Sequence, residues 1–336
     1  MAQDHYIAKT YLKQFGDSTG RPHGYRKPTG EYFPCYPRDV CREWNGDVIV
    51  DFAPKNPTRI GDYRKIFEPR WDRSIAGLLN ESLTREGRFA IAAYVANLMF
   101  CTPTSTRMGR EYHTLTTARL VKFKRDMQRR HGSPVDPRVD EAIEALDSGR
   151  LILETEPDYI KARNSSGLID TALELYHQDW TLLENTTAHP FITSDYPVAF
   201  DANQSPRTPF VRFLPITPTR CLCIAVRRPI VTKKEKPPID DRLSESPRGN
   251  LRFAKISAKY AREVTDAVSK CAELYVLSSA RSETVETLCR RNGHYEVAFD
   301  SMTITSQAED SELHGVTLTV REKKDAPKKP VRRSSK

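Results

Sequence analysis

The sequence predicts an α+β fold: a helical first half, then a mostly antiparallel sheet and one long helix in the second half. Three observations predict it. Apolar residues recur at three- and four-residue spacing through much of 69–178. Short apolar runs, separated by Pro and turn formers, fill 180–226. A single apolar stripe then follows: Ile256, Tyr260, Val264, Val268, Cys271 and Tyr275.

The elements follow in order. HYIAKTYLKQF reads as a short helix or extended segment, closed by the loop GDSTG. Residues 21–60 are rich in Gly, Pro and Asn, with a short strand at 48–52. Pro54, Pro57 and Gly61 argue against a long regular element there. After Pro69, Trp71, Ile75, Leu78 and Leu79 take helical spacing. Thr84 caps the next helix, FAIAAYVANLMF, which is apolar nearly all round and therefore central; Pro103 ends it. A basic helix spans about 110–130, and Val139, Ile143 and Leu146 mark an amphipathic helix after Pro137. Asn164 or Ser165 caps another, through Leu168, Ala172, Leu173 and Tyr176. WTLLE, FIT, VRFLPI and CLCIAV read as strands, 232–250 as a polar Pro-rich loop, and 316–320 as a late strand. Residues 1–321 are expected to form one compact domain, with a helical subdomain 69–178 and a sheet-containing subdomain 179–321. Residues 322–336 read as a disordered basic tail.

Composition bounds the function classes. Hydrophobic residues make up 38%, charged residues 29%, and mean hydropathy is −0.60, which excludes a collagen-like rod or a wholly disordered chain. The 53 Lys and Arg against 44 Asp and Glu give a formal charge of +9. The tail from Glu322 carries seven basic and two acidic residues, hence +5 of that total. Tail and basic helix are the expected nucleic-acid contacts, with a purely solvating role as the alternative. No run approaches the roughly 18 apolar residues of a membrane span, and the N-terminus has no secretory pattern, so a cytoplasmic protein without a membrane partner is expected. Seven scattered cysteines without paired CxxC units imply a reduced chain without a structural zinc.

Thr193, Ser194 and Asp195 form the best polar cluster in an apolar setting, inside HPFITSDYPVAF. A carboxylate at a strand end can bind a metal, an amine or a guanidinium, and the hydroxyls can hold a phosphate. The alternative is a turn in which Asp195 accepts backbone N–H bonds. His5 offers an imidazole for a metal or a proton. Glu68 and Asp72 share one face if the helix begins before Pro69, and Glu68 then serves as a third ligand. Asn97, in an apolar helix, needs a hydrogen-bond partner if buried. Arg107 can clamp a phosphate or a carboxylate, or pair with Asp195, while Arg119, Arg125 and Arg129 face phosphates from the basic helix. Phosphate-loop, HExxH, GxSxG and dinucleotide signatures are missing.

The opening His5-Tyr6-Ile7, then Tyr11-Leu12 and Phe15, resembles the start of the largely bacterial family named domain of unknown function 4238. The segment from Glu68 to Arg107 is similar to the family's middle. FITSDYPV is similar to its most recognisable motif, and LPITP to its following strand. The resemblance covers roughly 4–280. It directs attention to His5 and Asp195 and implies no reaction.

Two functions are expected from these residues. The first is a metal-dependent phosphodiester hydrolase acting on nucleic acid. His5, Glu68 and Asp195 would hold Mg²⁺ or Mn²⁺ and carry catalysis; Thr193, Ser194, Arg107, Arg119, Arg125 and Arg129 would bind substrate. The second is a non-enzymatic nucleic-acid or protein-binding module, in a bacterial stress or phage-defence setting. There the basic surface binds and His5 and Asp195 are structural.

Overall fold

The all-round apolar segment becomes the hub of the fold. A computed structural model describes residues 3–148, 150–151, 154–201, 210–226, 245–306 and 311–323. The chain opens with β1 (Gln3–His5), α1 (Lys9–Lys13), β2 (His23–Arg26), β3 (Tyr32–Pro34) and β4 (Arg42–Trp44). Helices α2 (Arg59–Arg64), α3 (Trp71–Leu79), α4 (Arg85–Phe100) and α5 (Pro103–Arg130) follow, with a 3₁₀ turn at Glu68–Arg70 before α3. Next come α6 (Pro137–Asp147), α7 (Pro157–Ser166) and α8 (Leu168–Tyr176). The second half holds β5 (Asp179–Glu184), β6 (Thr193–Ser194), β7 (Ala199–Phe200), β8 (Phe210–Thr217), β9 (Arg220–Val226) and β10 (Leu251–Lys255). It continues with α9 (Ala258–Cys271), β11 (Tyr275–Ser278), α10 (Glu283–Asn292), β12 (Tyr295–Ser306) and β13 (Ser311–Glu322).

Helix α4 is buried from Gly87 to Leu98 and packs against α3 and α8. Its Tyr94 ring centre lies 4.3 Å from that of Trp71 and 5.9 Å from that of Tyr11. Aromatic pairs at such spacings add stability beyond their buried area. This ties the first helix to the helical core. The Thr84 side chain accepts the Gly87 N–H, the cap its position predicts.

The strands form a five-stranded sheet in the order β10-β5-β9-β8-β7 and a four-stranded sheet in the order β3-β2-β11-β6. Two two-stranded ribbons, β1-β4 and β12-β13, accompany them. Pairing is antiparallel except for β10 beside β5. Helix α9 links the two larger sheets and buries Val264, Val268 and Cys271 of the predicted stripe, together with Ala261; Ile256 precedes the helix and Tyr275 begins β11.

Several expectations are corrected. The longest helix is α5, with 28 residues against 14 in α9, and it lies in the first half. Strands β1 to β4 precede the helices of the first half, with β2, β3 and β4 inside the irregular stretch 21–60. Residues 48–52 form no strand: the Val48 N–H turns back to Asn45, itself at φ 50°, and Ile49 N–H reaches the Pro57 carbonyl. Asn164 and Ser165 close α7, and α8 starts after Gly167. Of FIT, only Thr193 enters a strand. Most of the 232–250 loop and of the tail lies outside the described residues.

Helix α5 starts earlier than predicted because Pro103 both ends one helix and begins the next. Pro fits the first helical position, where its missing N–H is not needed. Thr102 accepts the Ser105 N–H at 3.2 Å, and Ser105 Oγ accepts the Thr102 N–H at 2.9 Å, a reciprocal capping box. Thr102→Ala is expected to lower the unfolding free energy by about 1 kcal/mol, read from urea denaturation. All seven cysteines are free thiols, and no described helix is long and apolar enough to cross a membrane.

Candidate functional site around Asp195

Asp195 follows β6 and is almost fully buried, at 3% exposure. Its Oδ1 accepts the Glu273 N–H at 2.9 Å and its Oδ2 accepts the Leu274 N–H at 2.7 Å. Its own N–H donates to the Tyr275 carbonyl. The carboxylate therefore grips the segment between α9 and β11. Burial pushes its pKa up to about 6, with the two N–H donors and nearby Lys27 pulling it back.

Lys27 grips the same segment from the opposite edge. It follows β2, on the other side of β11, and its N–H extends that ladder to the Leu274 carbonyl. Its ammonium is fully buried and donates to the carbonyls of Lys270 at 2.7 Å, Tyr295 at 2.7 Å, and Ala272. The Lys270 and Ala272 carbonyls belong to the end of α9, where unpaired acceptors and the helix dipole favour a cation. Burial nevertheless lowers the Lys27 pKa to about 8.

Arg107 completes the arrangement. Its guanidinium binds Glu273 at 3.1 and 2.8 Å and donates to the Val297 carbonyl at 2.8 Å. Arg107 thus holds the side chain of the residue whose backbone holds Asp195. Tyr6 and Cys41 are electrostatic neighbours of the carboxylate, and the Tyr6 N–H donates to the Cys41 carbonyl at 3.0 Å. Burial holds phenol and thiol well above their ordinary ranges, so both stay uncharged. Cys41 takes φ 54°, a left-handed conformation rare outside Gly, Asn and Asp.

The other predicted residues have separate partners. Thr193 Oγ1 lies 2.7 Å from the Tyr11 hydroxyl, which donates to the Pro215 carbonyl. Ser194 Oγ accepts the Tyr196 N–H at 3.2 Å. His5 Nε2 is 3.1 Å from the Arg38 carbonyl, and burial with nearby Lys9 lowers its pKa. Glu68 is exposed at the start of the 3₁₀ turn, an electrostatic neighbour of Asp47. Asn97 is buried and accepts from Arg64, which pairs with Asp47 at 2.7 Å. Arg125 and Arg129 both reach Asp140 of α6, and Arg119 sits half-buried on α5.

No hydrogen bond or ion pair joins His5, Glu68 and Asp195. Among the described residues, no group of three or more His, Cys, Asp or Glu side chains is placed to hold a metal ion. Each Asp195 oxygen already accepts one backbone hydrogen. Lys27 and Glu273 are the site residues missing from the sequence reading.

Fold and site together define an α+β protein in which buried charges lock a helix-to-strand junction. Residues 3–282 match the family described as protein of unknown function (DUF4238), and the chain belongs to that family. No curated protein and no solved structure matches the chain.

Proposed function

We propose that the chain is a nucleic-acid-binding protein that holds its ligand on the outer half of α5. One observation carries this reading: Leu120 is 66% and Phe123 63% exposed there. Lys124 and Arg130 are exposed with them, and Met127 is half-buried. Positions 120, 123, 127 and 130 share one helical face. An exposed ring among cations can stack a base while the cations meet phosphates. Arg125 and Arg129 add cations whose pairs with Asp140 lie near the surface; such pairs are worth at most about 1 kcal/mol and exchange readily for phosphate.

Asp195, Lys27 and Arg107 support a structural role, because each is engaged by backbone or by a neighbouring ion. The second reading is metal-dependent phosphodiester hydrolysis with Mg²⁺ or Mn²⁺ at His5, Glu68 and Asp195. One experiment separates the two. Labelled single- and double-stranded DNA and RNA are titrated with the full chain at two salt concentrations, in EDTA, Mg²⁺ or Mn²⁺.

Binding in EDTA that weakens with salt, with strands left intact in either metal, is the expected result. Phe123→Ala should weaken single-strand binding by about 1–3 kcal/mol, the usual worth of one stacked base. Strands that shorten only with metal would favour the hydrolase. Absence of binding at low salt, or full binding by a Phe123→Ala, Lys124→Ala, Arg130→Ala variant, would remove α5 as the interface.

A further inference from the structure

The segment that carries Asp195 also walls a cleft elsewhere in the molecule. Residues 188–192, with α9 and α10, enclose about 770 Å³. That is within the range of small-molecule sites, roughly 300–1,000 Å³. Ile192, Val285 and Leu288 give the cleft an apolar wall.

Its polar groups are unequally engaged. Arg291 is held by Asp266, which also binds Lys270 and Asn292. Arg262 is exposed, and its Nη1 donates to the His189 ring Nε2 at 3.1 Å; no carboxylate pairs with it among the described residues. A guanidinium presents five N–H donors in a fork that matches an oxyanion. Thr265, one turn along α9 from Arg262, places a buried hydroxyl without a hydrogen-bond partner among the described residues in the same wall. Lining charges balance, with Lys259, Arg262 and Arg291 against Glu263, Asp266 and Glu283. Attraction for an anion is therefore local to Arg262 and does not come from the cleft as a whole.

We propose that this cleft binds a small amphipathic oxyanion, its carboxylate or phosphate on Arg262 beside His189 and its apolar body against Ile192, Val285 and Leu288. The proposal does not depend on nucleic-acid binding by α5. An apolar wall with one under-used cation selects a molecule carrying both features, since the wall adds burial and the fork fixes orientation.

Calorimetric titration of the full chain with phenyl phosphate, benzoate and uncharged benzyl alcohol tests it. Saturable one-to-one binding of at least one anion is expected, and binding of phenyl phosphate alone would assign the site to phosphate. Arg262→Ala, at an exposed position, should unfold at the wild-type temperature and bind the anion at least about tenfold more weakly, the loss of one charge-assisted contact. Leu288→Trp should crowd the apolar wall and weaken binding while leaving Arg262 in place. No saturation by either anion, wild-type affinity in either variant, or benzyl alcohol binding as tightly as the anions would overturn the proposal.

Discussion

Lys27→Met is expected to lower the unfolding free energy by about 3 kcal/mol, since several carbonyl acceptors would be left without their charged donor. Met keeps most of the apolar stem, so the loss reports on the ammonium. The carbonyls of Lys270, Ala272 and Tyr295 would lose their donor, and the Ala272 carbonyl is buried away from water. Two of them end α9, so the helix loses its terminating cation as well. The pH dependence gives a second reading. Burial sets the folded pKa at about 8, below the ordinary 10.5. A group depressed in this way contributes stability above its unfolded pKa that is lost as pH falls through its folded pKa. Wild-type stability should therefore rise between pH 8 and 10.5 by an amount missing from Lys27→Met. Urea unfolding of both proteins across that window checks both statements. A loss below about 1 kcal/mol would place Lys27 among ordinary hydrogen-bonded residues.

The helices were legible because their signals are local. The Thr84 cap, the apolar band of α4 and the stripe of α9 each sit within a few turns of chain. Where the sequence misled, two local signals competed. Pro103 is a helix stop and a helix start at once, and only the Thr102–Ser105 box decides that α5 begins there. The loop at 48–52 has strand-like composition but is folded back by its neighbours. The site was legible on one side only. Asp195 stands out as an acid among apolar residues, yet its partners are backbone N–H groups 78 and 79 residues away. Backbone donors leave no side-chain signature. Lys27 reaches carbonyls more than 240 residues distant, and nothing near it in sequence marks it as buried. The sequence offers Arg107 a phosphate, a carboxylate or Asp195 as partner; in the structure it pairs with Glu273, whose backbone touches Asp195.

Asp195→Ala should cost about 2–4 kcal/mol, because two backbone N–H groups lose a charged acceptor and remain inside the protein. The loss is smaller than the two hydrogen bonds alone would give, since a buried carboxylate is itself costly. Asp195→Asn isolates that cost: it keeps one acceptor and removes the charge. Burial places the folded pKa at about 6, above the ordinary 3.8, with Glu273 adding to the rise. A raised carboxylate contributes stability that is present below its unfolded pKa and lost as pH rises through its folded pKa. The wild type should accordingly lose stability relative to Asp195→Asn between pH 3.8 and 6. Urea midpoints of both proteins across that range measure it, and a flat difference would mean that Asp195 ionises as an exposed acid does. Between the two windows, from about pH 6 to 8, both Asp195 and Lys27 are charged, on opposite edges of the segment they share. Each then offsets part of the other's desolvation, so removing one leaves its neighbour worse placed. Asp195→Asn combined with Lys27→Met should cost less than the two single losses added, by roughly 0.5–3 kcal/mol, the range for residues coupled in one network. Strict additivity would separate the two grips and leave each holding the junction alone.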